Sequence, residues 1–168
     1  MVIVYRSNTG FTREYAGMLG KAEKLKVFSA EEAEGRVSPE EPVLYMAPLM
    51  AGHIEGMGQA VKRFAVKGVC GVGMSPASRQ TMETLSRANY VPNAPIFYLQ
   101  GGWAPKKVSW LKRRMVNMVT RSTRQALREK GSRRTPEEEK QYRMLTEGGS
   151  CVAFENLGGL RRWLREQT

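Results

Sequence analysis

The chain has 168 residues, 41% of them hydrophobic, and a formal net charge of +11. That length suits one domain with a complete core. No run approaches the roughly 20 apolar residues of a membrane-spanning helix, and no charged stretch precedes an apolar one at the start, so a cytoplasmic protein is expected. Cys70 and Cys151 lack metal-ligand spacing and read as reduced thiols.

The first element is a strand, Val2 to Tyr5, apolar throughout and therefore expected to be buried on both faces of a parallel sheet. It ends in Arg6-Ser7-Asn8-Thr9-Gly10-Phe11-Thr12, a hydroxyl-rich loop around one glycine. Phe11, Tyr15, Met18, Leu19 and Ala22 then recur at helical spacing. A strand–loop–helix of this kind turns backbone N–H groups and the Ser7, Thr9 and Thr12 hydroxyls towards one spot at a helix N-terminus, where an anion is favoured. The loop lacks the glycine spacing of a dinucleotide fingerprint and the Gly-Lys-Ser/Thr of a nucleotide-phosphate loop. The plainer alternative is a helix cap with no ligand.

Leu25 to Phe28 gives a second strand, Ala30 to Glu34 a brief helical turn, and Val43 to Ala47 a third strand cut by Pro48. Ile54, Met57, Val61 and Phe64 mark a helix. A fourth strand, Gly68 to Gly73, ends at Met74-Ser75-Pro76. A helix from about Ser78 to Ala88 and a fifth strand, Pro95 to Leu99, complete the alternation. This rhythm predicts an α/β fold with a doubly wound, five-stranded parallel sheet. Ligands of such sheets bind beyond the carboxyl ends of the strands, where strand order reverses.

After Gly101-Gly102-Trp103 the rhythm changes. Residues 104–146 hold thirteen Lys/Arg against four Glu, a charge of +9, while the rest of the chain carries only +2. Val108, Leu111, Met115, Met118 and Val119 form an apolar stripe on a helix whose other faces carry Lys112, Arg113, Arg114, Arg121, Arg124 and Arg128. Gly131-Ser132 ends it. Thr135-Pro136-Glu137-Glu138 then predicts a capped second helix. Ile96–Leu99 and Cys151–Phe154 are expected to be two halves of one edge strand, split by a basic helical insertion at about 104–148. Leu157, Leu160, Trp163 and Leu164 make an amphipathic last helix.

The loop at 7–12, the segment Ala47-Pro48-Leu49-Met50-Ala51-Gly52-His53, and the Gly101-Gly102 turn before a basic, Met-rich helix together resemble the flavodoxin family. The resemblance is to the branch that contains menaquinone-dependent protoporphyrinogen oxidase. It implies a flavodoxin-like sheet of order 2-1-3-4-5 and the cofactor FMN. The phosphate would lie on Ser7, Asn8, Thr9, Gly10, Phe11 and Thr12. Pro48, Leu49, Met50, Ala51 and Gly52 would line one side of the flavin ring, and Met74, Ser75, Pro76, Ala77 and Ser78 the other. Family members usually place an aromatic in one of these loops; here neither has one, so Met50 is the packing candidate and Trp103 the nearest aromatic cover. His53, the only histidine, is a candidate proton donor beside the ring.

The resemblance further implies a redox partner: a quinone, a porphyrin or an acidic protein. Oxidation of protoporphyrinogen with a quinone acceptor and electron transfer to a protein are the two activities expected. A basic binding module without flavin is the alternative of another class. Positive surroundings favour anionic reduced flavin, each charge contributing about 0.4–1.7 kcal/mol at roughly 10 Å before screening. The basic segment has three readings: a solvated helix packed by its apolar stripe, a contact with an anionic membrane at its inner face, or nucleic-acid binding. The last lacks any reading motif or stacking platform.

Overall fold

Val2, Ile3 and Val4 are buried because the strand they form, β1 (Val2–Tyr5), lies inside a sheet with helices on both faces. The structure is a computed structural model and describes residues 1–167. It divides into two compact units: residues 1–101 with 152–167, and residues 102–151.

The first unit runs β1, α1 (Phe11–Glu23), β2 (Val27–Ser29), α2 (Ala30–Ala33), β3 (Pro42–Met50), β4 (His53–Ile54), α3 (Met57–Arg63), β5 (Ala65–Gly73), α4 (Arg79–Ala88) and β6 (Ile96–Gln100). The parallel strands lie in the order β2-β1-β3-β5-β6, with short β4 antiparallel to the end of β3. Counting parallel strands alone, this is the expected order 2-1-3-4-5. Ile3 stands opposite Val27 on one side and Leu44 on the other, while Val69 stands opposite Ile96.

Side chains alternate between the two faces, as the pleat requires. Val2, Val4, Val43, Tyr45 and Val69 meet Ala33, Ala60 and Leu85 from α2, α3 and α4. Ile3, Leu44, Met46 and Cys70 meet Tyr15, Ala16 and Leu19 of α1 on the opposite face, with Leu157, Leu160 and Leu164. The last two belong to α8 (Gly158–Glu166), the final helix of the chain. Gly68 makes room on this face for Trp163, since a Cβ there would lie 2.5 Å from the indole. Burial pushes the Cys70 thiol well above its ordinary range, which keeps it protonated and inert.

Pro48 does not cut the third strand; β3 runs through it to Met50. Met46 O accepts from Arg6 N–H, and Pro48 O accepts from Glu55 N–H. In a parallel ladder residues two apart face the same neighbour, so the missing N–H of Pro48 points to the side that β1 has already left. A proline is tolerated there. Ile54 accordingly joins β4 rather than the next helix, which begins at Met57.

The second unit opens and closes on an antiparallel ribbon, β7 (Gly102–Trp103) with β8 (Gly149–Ser150). Between them lie α5 (Trp110–Val119), α6 (Arg121–Lys130) and α7 (Pro136–Glu147). The expected capping box at Thr135 is present: Thr135 N–H donates to Glu138 Oε2 at 3.0 Å and Glu138 N–H donates to Thr135 Oγ1 at 3.2 Å. The single long helix expected after Val108 is two, divided at Thr120. Its hydroxyl donates to Val116 O at 2.8 Å, a side-chain competitor for the helical carbonyl.

A further expectation fails. Cys151–Phe154 is not the second half of a split edge strand. Gly149 and Ser150, just before it, pair with Gly102 and Trp103, and Phe154 already begins a turn of 3-10 helix through Leu157. Strand pairing falls on Gly149 and Ser150, in the ribbon with β7, and not on Cys151–Phe154 beside β6. The basic helices therefore follow a complete β6 instead of interrupting it.

Candidate functional site

Beyond the carboxyl ends of β1 and β2 the first unit has a cleft of about 330 Å³, lined by Tyr5, Arg6, Ser7, Asn8, Gly10, Arg13, Ser29, Glu31 and Glu55. It forms because β1 stops at Tyr5 and the chain must turn into α1 within five residues. Gly10 makes that turn with φ +102°, a left-handed conformation that glycine adopts without strain. A Cβ at Gly10 would meet nothing within 4 Å, so the space beside it is open.

The hydroxyl of Ser7 accepts from Gly10 N–H at 3.1 Å, closing the loop on itself. No side chain caps α1. Its first turn thus presents backbone amides and the positive end of the helix dipole. Arg6 and Arg13 add cationic charge to the cleft wall, and Glu31 and Glu55 oppose it. Ser29 lines the cleft too, but its hydroxyl is committed: it accepts from Glu32 N–H at 3.1 Å as the cap of α2.

The loops after β1 and β3 meet across the switch in strand order. Asn8 Nδ2 donates to Glu55 Oε2 at 2.7 Å, tying the first loop to the chain just after β4. Tyr45 Oη donates to Glu55 O at 2.7 Å from beneath. Burial pushes the Tyr45 phenol up to about 12, outweighing the nearby Arg6 charge, so it stays a neutral donor.

The expected site residues divide into three segments of the first unit and Trp103. Ser7, Asn8 and Gly10 line the cleft; Phe11 and Thr12 begin α1, where Thr12 is buried. Thr9 completes that loop and does not line the cleft. Pro48, Leu49 and Met50 end β3, and Ala51 and Gly52 make its turn into β4, where His53 is exposed. Asn89, itself 1% exposed, fixes this turn. It accepts from Ile54 N–H and donates to Gly52 O and Leu85 O, all within 2.9 Å. Met74, Ser75, Pro76, Ala77 and Ser78 form the loop after β5. Tyr98 Oη donates to Ser75 O at 2.6 Å and Gln100 Nε2 donates to Met74 O at 3.2 Å, while Ser78 caps α4. Trp103 belongs to the second unit, where it pairs in β7 and is 6% exposed.

Arg6, Arg13, Glu31, Glu55 and the bracing residues Asn89 and Tyr98 were not legible as site residues. Arg13 sits in the first turn of a predicted helix, and its position beside the loop was the one available signal. Asn89 and Tyr98 act across 35 and 23 residues of chain, and no local pattern marks such a contact.

The second unit has its own concavity, about 680 Å³, between α6 and α7. Arg121, Arg124, Arg128, Tyr142 and Thr146 contribute to its walls, with Gln125 and Glu129. Among the described residues no group of His, Cys, Asp and Glu is placed to hold a metal ion, and no helix is long and apolar enough to cross a membrane.

No protein-family model matches this sequence, and no curated protein is significantly similar to it.

Proposed function

We propose that the chain is an FMN-binding redox protein with a flavodoxin-like fold. What carries this reading is the cleft at the end of β1. There a hydroxyl-rich loop, a left-handed glycine and an uncapped helix start share one open space beyond the ends of β1 and β2, next to the switch in strand order between β1 and β3. A phosphate fits these donors, and Arg6 and Arg13 offset the nearby carboxylates.

Ser7, Asn8, Gly10 and the first amides of α1 would hold the phosphate, with Thr9 and Thr12 completing the loop. Pro48 to Gly52 and Met74 to Ser78 would flank the ring. The redox chemistry belongs to the cofactor when bound; the chain's residues bind and orient. Asn89, Tyr98 and Gln100 hold the two flanking loops from below, so neither must be ordered at the moment of binding. The proposed activity is oxidation of protoporphyrinogen or a related substrate with a quinone acceptor; reduction of a carrier protein instead would make it an electron shuttle.

Glu31 and Glu55 on the cleft wall, and two ring-side loops without an aromatic, favour a second reading: a basic binding module that holds no flavin. The absorption spectrum of the purified chain separates the two. Flavin bands that disappear in Ser7→Asp, with FMN affinity lowered at least about tenfold (about 1.4 kcal/mol), are expected. A colourless protein that takes up no FMN on dialysis leaves only the second reading.

A further inference from the structure

Helix α5 is built inside out for a helix in water. On its wheel Leu111, Met115, Met118 and Val119 share one face, and that face looks outward: Leu111 is 63% exposed, Met118 70% and Val119 71%. Trp110, the residue before Leu111 and to one side of this face, is 65% exposed. The half-buried residues of the helix are Lys112, Val116 and Asn117, two of them polar, and none of its residues is fully buried. Five of the eight large hydrophobic side chains exposed among the described residues lie on these ten positions. Of the three readings of this segment, packing of the apolar stripe against the protein is therefore not seen at Leu111, Met115, Met118 and Val119.

The charge around this face selects what covers it. From Ala104 to Arg128 the chain holds eight Lys or Arg and no Asp or Glu. Lys106, Lys107, Arg114 and Arg121 are exposed around the stripe, and Arg113 is exposed on the other side of the helix. A second copy would set +9 against +9. Nucleic acid would satisfy the cations but leave Leu111, Met118 and Val119 in water. An anionic lipid surface satisfies both, since acyl chains take the apolar face while headgroup phosphates take the cations.

We propose that α5 docks the chain on anionic lipid bilayers, lying in the plane of the interface with Leu111, Met115, Met118 and Val119 below the headgroups and Trp110 at headgroup level at the start of the helix. No helix among the described residues can cross a bilayer, so the attachment is peripheral. It uses no residue of the cleft at the end of β1, so it stands or falls separately from flavin binding.

Co-sedimentation with vesicles of equal phosphatidylglycerol and phosphatidylcholine tests it, with pure phosphatidylcholine as control. Expected is binding to the anionic vesicles at least about tenfold stronger than to the neutral ones, weakened by salt, with a blue shift of Trp110 emission. Leu111→Glu with Met118→Glu should lower that binding at least about tenfold with unchanged circular dichroism, because both side chains are exposed. Reversing Lys106 and Lys107 to Glu should weaken it by a second route that spares the apolar face. Absence of binding to anionic vesicles overturns the proposal, as does undiminished binding by the double-Glu variant. So does a dimer in light scattering that the double-Glu variant dissolves, because the face is then an interface between copies.

Discussion

Helices α8 and α5 have the same kind of sequence and opposite surroundings. Each is short, amphipathic and basic. In α8 the apolar residues Leu160 and Leu164 sit against the sheet with Ile3 and Leu44, and Arg161 and Arg165 reach back to Glu23. In α5 the corresponding stripe faces out, and Asn117 contributes a carbonyl to Arg124 on the inner side. Hydrophobic spacing fixes which residues share a face; it does not say what that face meets.

The largest test of this contrast is truncation of the buried stripe. Leu160→Ala should cost about 2–5 kcal/mol in urea unfolding, from lost burial and the cavity left behind, whereas Leu111→Ala should change stability by no more than about 0.5 kcal/mol. Equal losses would mean that α5 is packed in solution. Asn89→Leu comes next. It strips the partner from Ile54 N–H and should cost about 1–3 kcal/mol, with faster hydrogen exchange at Ile54 as the local signature.

Within the second unit, Thr135→Ala removes one half of the α7 capping box and should cost about 1 kcal/mol. Retained stability there would show that α7 is held by Met144 and Leu145 alone. The smallest effect is the pH dependence of the α1–α8 contact. Hydrogen bonding from Arg161, then Arg165, holds the Glu23 carboxyl below its ordinary 4.5. A carboxyl depressed on folding adds stability above its unfolded value and loses it as pH falls through the folded one. Glu23→Gln should therefore be less stable than the natural chain near neutrality, and the two should converge as the pH is lowered below about 4.5. A difference that persists in acid would assign the effect to packing.

Much of the first unit could be read along the chain. The enclosed strand at Val2 to Tyr5, the helix from Phe11 and the helix from about Ser78 follow from local period and short connections, whereas the strand order was implied by the flavodoxin resemblance. The hydroxyl loop at Ser7 to Gly10 was legible because an apolar strand and a helical period are joined by only five residues, polar ones around one glycine. The failures share a cause. Pro48 breaks a strand only if a neighbour needs its N–H, and β1 ends before that point. Cys151 to Phe154 has strand-like composition, but the ladder went to Gly149 and Ser150.

Composition and spacing alone determined that this chain is a mostly parallel α/β protein with a neutral sheet region and a strongly basic helical segment. The tertiary structure alone decided that Arg6, Arg13, Glu31 and Glu55 share a cleft with the loop, that Asn89 locks the turn after β3, and that the stripe of α5 faces solvent. Period and propensity act over a few residues and are written in order along the chain. Which charge stands beside which loop, and which apolar face is covered, depends on contacts between segments tens of residues apart, and only folding brings those together.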